Sequence, residues 1–222
     1  MPLIRDRVAL GRLLAAVTAA VTLGGLASCT TPTDPDPEPD PTPSASSTRE
    51  AERQLEELAV REPGSMRGYS RKRFPHWDRT GANCDVRDSV LQRDGRNVRL
   101  DGCNVVGGEW FSVYDNLTLT DPSEVDIDHV VPLANAWRSG AASWNDEQRG
   151  EFANDLTRPQ LIAVSRTSNR AKGDQDPSQW KPPNRDYWCQ YAEDWIAVKH
   201  HWQLSVTSAE KAALSDMLET CS

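Results

Sequence analysis

The hydrophobic and polar positions of this chain change period several times, and each change marks an element. In EAERQLEELAVRE (50–62), Leu55, Leu58 and Ala59 share one face at helical spacing, which predicts an amphipathic helix. DVRDSVLQRD (85–94) reads as a short helix capped by Asp85. NVRLDGCNVVGGEWFSVYDNLTLT (97–120) carries β-rich runs broken at DG and GG, so two or three strands are predicted. DIDHVV (126–131) is a further strand, ended by Pro132. Helices are expected over LANAWRSGA (133–141) and SWNDEQRGEFAND (143–155), the second capped by Ser143. QLIAVS (160–165) is a short buried strand, and RTSNRAKGD (166–174) a short helix closed by Gly173. In NRDYWCQYAEDWIAVKHHW (184–202), Tyr187, Tyr191, Trp195, Val198 and Trp202 make an apolar stripe that faces a core rather than a cofactor. TSAEKAALSDMLETC (207–221) opens on a capping box from Thr207 to Glu210. The mixture of short strands and helices is that of an α+β fold, and no internal repeat is visible.

The first 48 residues follow another pattern. Arg5, Arg7 and Arg12 precede the uncharged stretch LLAAVTAAVTLGGLA (13–27), which is too short for a membrane span and reads as an export signal over 1–28. It ends in LASC (26–29), which resembles a bacterial lipobox. That resemblance implies cleavage before Cys29 and lipidation of its sulfur. The chain would then be anchored at the outer face of the cytoplasmic membrane; an ordinary signal peptide would instead give a secreted form. TTPTDPDPEPDPTPSASST (30–48) alternates proline with acids, so 29–48 is expected to be an extended tether. Residues 49–222 are left as one folded domain.

Charge changes the picture of partners. The formal net charge is −8. The leader carries +2 and the tether −4, which leaves −6 on residues 49–222. A bulk field of that sign does not attract nucleic acid, so any polyanion site must be a local basic patch. Arg71, Lys72 and Arg73 interleave with Tyr69, Phe74 and Trp77 and form one. Arg87 and Arg138 are weaker candidates for the same role. His76, His200 and His201 have no acidic or cysteine partner at ligand spacing.

The chain has five cysteines. With Cys29 acylated, four remain, an even set in an exported chain. Pairing Cys84 with Cys103 and Cys189 with Cys221 closes two local loops. No CxxC spacing argues for structural zinc.

The chemistry concentrates in order along the chain. DIDHVVPL (126–133) carries Asp128 and His129. FAND (152–155) supplies Asn154, and SNRAKGD (168–174) supplies Asn169 and Lys172. Asp128 and Asn169 offer hard oxygens that suit a largely hydrated Mg²⁺. His129, ordinarily titrating near neutrality, suits a general base acting on water. Lys172, three residues after Asn169, could meet a phosphate. Glu124 and Asp126 share a strand face with Asp128 and rank below it as ligands.

These segments resemble the HNH, or ββα-metal, nucleases, specifically the exported bacterial HNH proteins of the DUF1524 type. The resemblance rests on DIDHVVPLANAWRSGA, FAND, AVSRTSNRAKGDQDPSQWKPP and CQYAEDWIAVKHHWQL, with RGYSRKRFPHWDRTGANCDVRDSVLQRDG similar to the family's N-terminal part. It implies a ββα-metal core with short antiparallel strands and flanking helices. It implies that His129 is the general base, that Asp128 and Asn169 bind one Mg²⁺ or Mn²⁺, and that Asn154 holds the loop and the histidine in place. The product would be a 5′-phosphate. Many HNH enzymes have histidine where this chain has Asn169, a departure that favours Mg²⁺. The expected substrate is DNA, bound with weak sequence specificity, and the candidates to contact its phosphates are Lys172, Arg71, Arg73 and Arg87. Two alternatives stay open: RNA as the substrate, and a non-catalytic surface lipoprotein that binds a partner or a cell-wall polymer.

Overall fold

The computed structural model describes residues 43–81 and 84–221. The export signal, Cys29 and most of the tether lie outside them. Seven α-helices and five short strands occur among the described residues: α1 (Pro43–Glu57), α2 (Val86–Asp94), β1 (Gly95–Asp101), β2 (Asn104–Ser112), β3 (Leu117–Leu119), β4 (Val125–His129), α3 (Leu133–Ser139), α4 (Asp146–Ala153), β5 (Leu161–Ser165), α5 (Arg166–Lys172), α6 (Trp188–His201) and α7 (Ser208–Leu218). The predicted mixed class and short strands are present.

Strands β1, β2 and β3 form one antiparallel sheet in sequence order, and β4 pairs with β5 in a second, two-stranded antiparallel sheet. The 97–120 segment therefore holds three strands. Helix α5 leaves directly from the end of β5, with Ser165 accepting the backbone N–H of Ser168 as its N-cap. Two antiparallel strands followed by a helix thus make one unit. A hydrogen bond from Ser165 N to Ser112 Oγ (2.9 Å) ties it to the larger sheet.

Two apolar clusters hold the chain. The larger joins α1, α3, α4, α6 and α7 around the fully buried Tyr191 and Trp195. The stripe predicted on α6 does face this core, although Tyr187 and Trp202 sit at its margin. The smaller cluster packs Val86, Val90 and Leu91 of α2 against Trp110, Ile127, Leu161 and Ala163. Each fully buried side chain of this kind contributes about 1.5–3 kcal/mol. Ile127 belongs to the smaller cluster and Val130 to the larger. Asp128 and His129 are the two residues at the crossing.

Both expected disulfides are present, Cys84–Cys103 and Cys189–Cys221. Asp85 caps α2 and Thr207 caps α7, each in a capping box. Gly173 ends α5 at φ +57°, a conformation glycine adopts without a Cβ clash.

Two boundaries differ from expectation. Helix α1 begins at Pro43 and ends at Glu57, so residues 43–48 are helical rather than tether. Ser47 and Thr48 each donate a hydroxyl to Glu193 Oε1 of α6 (3.1 and 3.0 Å), a tertiary anchor that composition does not reveal. Beyond it, Val60 runs beside Val206 as an isolated bridge. Helix α4 is capped by Asn145, not Ser143. The Asn145 side chain and Gln148 exchange hydrogen bonds in a capping box, while Ser143 ends the preceding 3₁₀ turn and bonds back to Gly140 O.

Candidate active site

Strand β4 presents Asp128 and His129 at its last two positions, opposite Ile162 and Leu161 of β5. The ladder continues past the strand end through a buried side chain. Gln160 accepts from Val130 N at its backbone carbonyl (2.8 Å) and from Val131 N at Oε1 (3.1 Å), and its Nε2 donates to Val131 O (3.0 Å). The backbone on both sides of His129 is therefore fixed.

His129 is buried, and its Nε2 lies 2.9 Å from the carbonyl of Ala153 at the end of α4. A carbonyl can only accept, so Nε2 carries the proton and Nδ1 keeps a lone pair. Burial pushes the imidazole pKa down to about 3. The neighbouring charges of Arg71, His76 and Lys172 act in the same direction, while the bond to Ala153 opposes them. The ring is thus neutral at physiological pH. Trp77 and His76 stand beside it, with ring centroids at 6.0 and 6.4 Å.

Asp128 is buried on the other side of the strand end. Tyr114 donates its hydroxyl to Oδ2 (2.7 Å), and Lys172 Nζ approaches Oδ1 at 2.9 Å and Oδ2 at 2.8 Å. The same ammonium donates to His129 O (2.9 Å). Burial raises the Asp128 pKa, an effect that Lys172 and Tyr114 oppose. Burial lowers that of Lys172, which Asp128 opposes. Burial, reinforced by the Asp128 charge, holds Tyr114 well above the usual phenol range, so it stays a donor.

Asn169 lies on α5 and donates Nδ2–H to Asp126 Oδ2 (3.1 Å). That bond orients the amide and leaves its oxygen free to turn elsewhere. Asp128, His129 and Asn169 line one open pocket of about 230 Å³ together with Tyr69, Arg71 and Arg170. Two guanidinium groups, Arg71 and Arg170, and two carboxylates, Asp128 and Asp174, share this pocket.

Asn154 works through the backbone. Its Nδ2 donates to Pro75 O (2.9 Å) and Gly150 O (2.8 Å), and its Oδ1 accepts from Asp78 N (3.0 Å). One side chain therefore clamps both ends of the turn that carries His76 and Trp77. The neighbouring Ala153 carbonyl holds His129. Asn154 itself touches the 75–78 turn and Gly150, and makes no hydrogen bond to His129.

The structure separates the remaining candidates. Arg71 is exposed at the pocket. Arg73 is exposed but lies over the Trp137 ring at 5.3 Å and 3.7 Å from Asp146. Arg87 donates to Pro122 O and Val125 O (3.0 Å each) and pins the start of β4. Lys172 is fully buried, so the phosphate contact expected of it gives way to the ion pair with Asp128. Arg138 is engaged by Asp174 at 2.6 Å. Sequence reasoning missed Tyr114, Arg170 and the buried Arg149, which donates to Arg73 O (3.0 Å) and Ala141 O (3.0 Å) and so seats the basic segment. Tyr114 lies 14 residues from Asp128 with no spacing signal, whereas Arg149 stands three residues after Asp146 on α4, a helical spacing that could have flagged it.

The pocket thus brings together an oriented histidine, oxygen donors and two arginines. The chain belongs to the family of the C-terminal domain of GmrSD restriction endonucleases, matched over residues 88–217, which points to a nuclease-type function. It is also similar to an uncharacterized secreted protein of Arthroderma benhamiae, 58% identical over 172 residues that cover 77% of this chain and 84% of the relative. No solved structure matches.

Proposed function

We propose that the chain is a metal-dependent endonuclease of the HNH type that hydrolyses phosphodiester bonds in DNA. The observation that carries this reading is His129. Its Nε2–H is committed to Ala153 O, and its free Nδ1 belongs to a ring lining the pocket that Asp128, Asn169 and Arg71 share. Membership of the restriction-endonuclease family supports it, as does the order of β4, β5 and α5.

In this reading His129 Nδ1 takes a proton from a water molecule. The resulting oxygen attacks phosphorus, the 3′ oxygen leaves, and a 5′-phosphate remains. Arg71 and Arg170 bind the phosphate oxygens and orient the strand. Tyr114 and Lys172 hold Asp128 in place, and Asn154 steadies the wall of the pocket.

The donor set fits one Mg²⁺ or Mn²⁺. A carboxylate has about four acceptor positions. Lys172 and Tyr114 make three contacts with Asp128, two of them on Oδ2, so Oδ1 retains room. Asn169 adds an amide oxygen to the same pocket. Asp128 and Asn169 would hold the ion, with water as the remaining ligands. Once bound, it would stabilise the negative charge that develops on the phosphoryl oxygens.

Export is part of the proposal, supported by the secreted relative and by two disulfides. No helix among the described residues is long and apolar enough to cross a membrane. Anchoring through Cys29 lies outside those residues. A mass measurement of the mature N-terminus separates a lipidated form from a secreted one.

The test is cleavage of supercoiled plasmid, single-stranded DNA and RNA in Mg²⁺, in Mn²⁺ and in chelator. The expected result is metal-dependent cutting of DNA that leaves 5′-phosphate ends. Inertness on all three substrates in both metals rules the proposal out, and preferential cutting of RNA moves it to that substrate.

A further inference from the structure

The turn 75–78 has a feature that the hydrolytic reading leaves unused. Trp77 sits at φ +64°, in the left-handed region. The other non-glycine residues there among the described ones are Asn97, Asn116 and Gln203. Asparagine tolerates that conformation, whereas a bulky aromatic residue does so only when its surroundings impose it. Such a conformation costs on the order of 1–3 kcal/mol and tends to persist where it places a functional group.

Here the imposing element is visible. Asn154 grips Pro75 O on one side of Trp77 and Asp78 N on the other. His76 adds a third tie through a bond from Nδ1 to Phe74 O (2.8 Å). The outcome is a half-buried indole that packs with one side on the smaller apolar cluster and stands beside the His129 ring, with His76 against it at 5.4 Å. The exposed Arg71 on the preceding 3₁₀ turn faces the same histidine and lines the pocket. A π-surface beside the His129 ring, at the edge of a pocket that Arg71 lines, is the kind of combination that holds an unstacked base while the backbone phosphate is neutralised. The turn lies before residue 88, where the family match begins.

We propose that Trp77 is a base-stacking residue. It takes the nucleobase flanking the scissile phosphate and so favours substrates in which that base is unstacked, single-stranded or distorted. This rests on the nuclease reading and adds a substrate preference to it. Asn154 is the positioning residue that sets the indole.

The experiment measures binding of the full chain, in chelator to prevent turnover, to a fluorescein-labelled oligothymidylate and to an abasic oligomer of equal length, by anisotropy. Wild type is expected to bind the base-bearing oligomer about 10-fold more tightly, since stacking contributes about 1–3 kcal/mol per base. Trp77→Asn, a side chain that accepts positive φ, should weaken that binding about 10-fold and abolish the discrimination. Trp77→Phe should keep most of it, and Arg71→Ala should weaken both oligomers alike. Equal binding of the two oligomers by wild type, or discrimination surviving in Trp77→Asn, overturns the stacking proposal and leaves the nuclease reading standing. Absence of binding to either oligomer likewise overturns the stacking proposal, while the nuclease reading stands or falls on the cleavage assay in metal. The wild-type comparison needs no variant to fold.

Discussion

Lys172 Nζ lies 2.8 Å from Asp128 Oδ2, and both side chains are shut off from solvent. The pair joins α5 to the end of β4, 44 residues apart in sequence, beside the pocket that Asp128, His129 and Asn169 line. A buried ammonium here acts as a fixed counter-charge that holds a carboxylate in one orientation.

Removing one member of a buried pair leaves the other uncompensated, which costs about 3–5 kcal/mol. Lys172→Met is therefore expected to lose stability on that scale in urea unfolding. Asp128→Leu combined with Lys172→Met should recover part of the loss, giving a coupling above about 1 kcal/mol. Additive losses would mean that the two charges do not stabilise each other.

Asn154→Ala removes the bonds to Pro75 O and Asp78 N. The expected cost is about 0.5–1.5 kcal/mol, the scale of a net hydrogen-bond contribution, because both bonds are exposed. The sharper readout is local. Hydrogen exchange at Asp78 N–H should speed up well beyond the change in global stability, because only that turn is released. Unchanged protection there would show that the turn is held by something else.

The strands and helices around the site were legible because their signals are local. Alternation marked β4, a short apolar run marked β5, Gly173 closed α5, and short sequence separations brought the cysteines together. The direction in which a side chain points was not legible. SNRAKGD reads as a polar helix, yet Lys172 turns inward because Asp128 waits there. Tyr114, the other partner of Asp128, stands 14 residues away across a loop. The start of α1 was misplaced for the same reason. Its proline-, serine- and threonine-rich first turns look like tether until Glu193 supplies an acceptor. Arg71 and Arg73 looked alike in sequence, and only packing assigns one to the pocket and the other to Trp137.

Asp194 gives the fold a pH dependence. It is buried on α6, accepting from Gln190 Nε2 (2.8 Å) and Tyr187 Oη (3.0 Å). Burial raises its pKa to about 6, against these two bonds. The folded state therefore binds this proton more tightly than the unfolded chain, where the pKa is about 3.9. The stability it confers is complete below pH about 4 and is lost as pH rises through about 6. The loss amounts to about 2–3 kcal/mol at most. Asp194→Asn should flatten this slope in unfolding experiments run from pH 4 to 7. An unaltered slope would assign the titration to another group.

The most direct measurement is nicking of supercoiled plasmid in Mg²⁺ by wild type and by His129→Ala, with a chelator control. Wild type is expected to nick in a metal-dependent manner. His129→Ala should fold with both disulfides intact and cut about 10²–10⁴-fold more slowly, the scale of a lost general base. Cutting by His129→Ala at the wild-type rate, or cutting indifferent to chelator, would contradict the account at its centre.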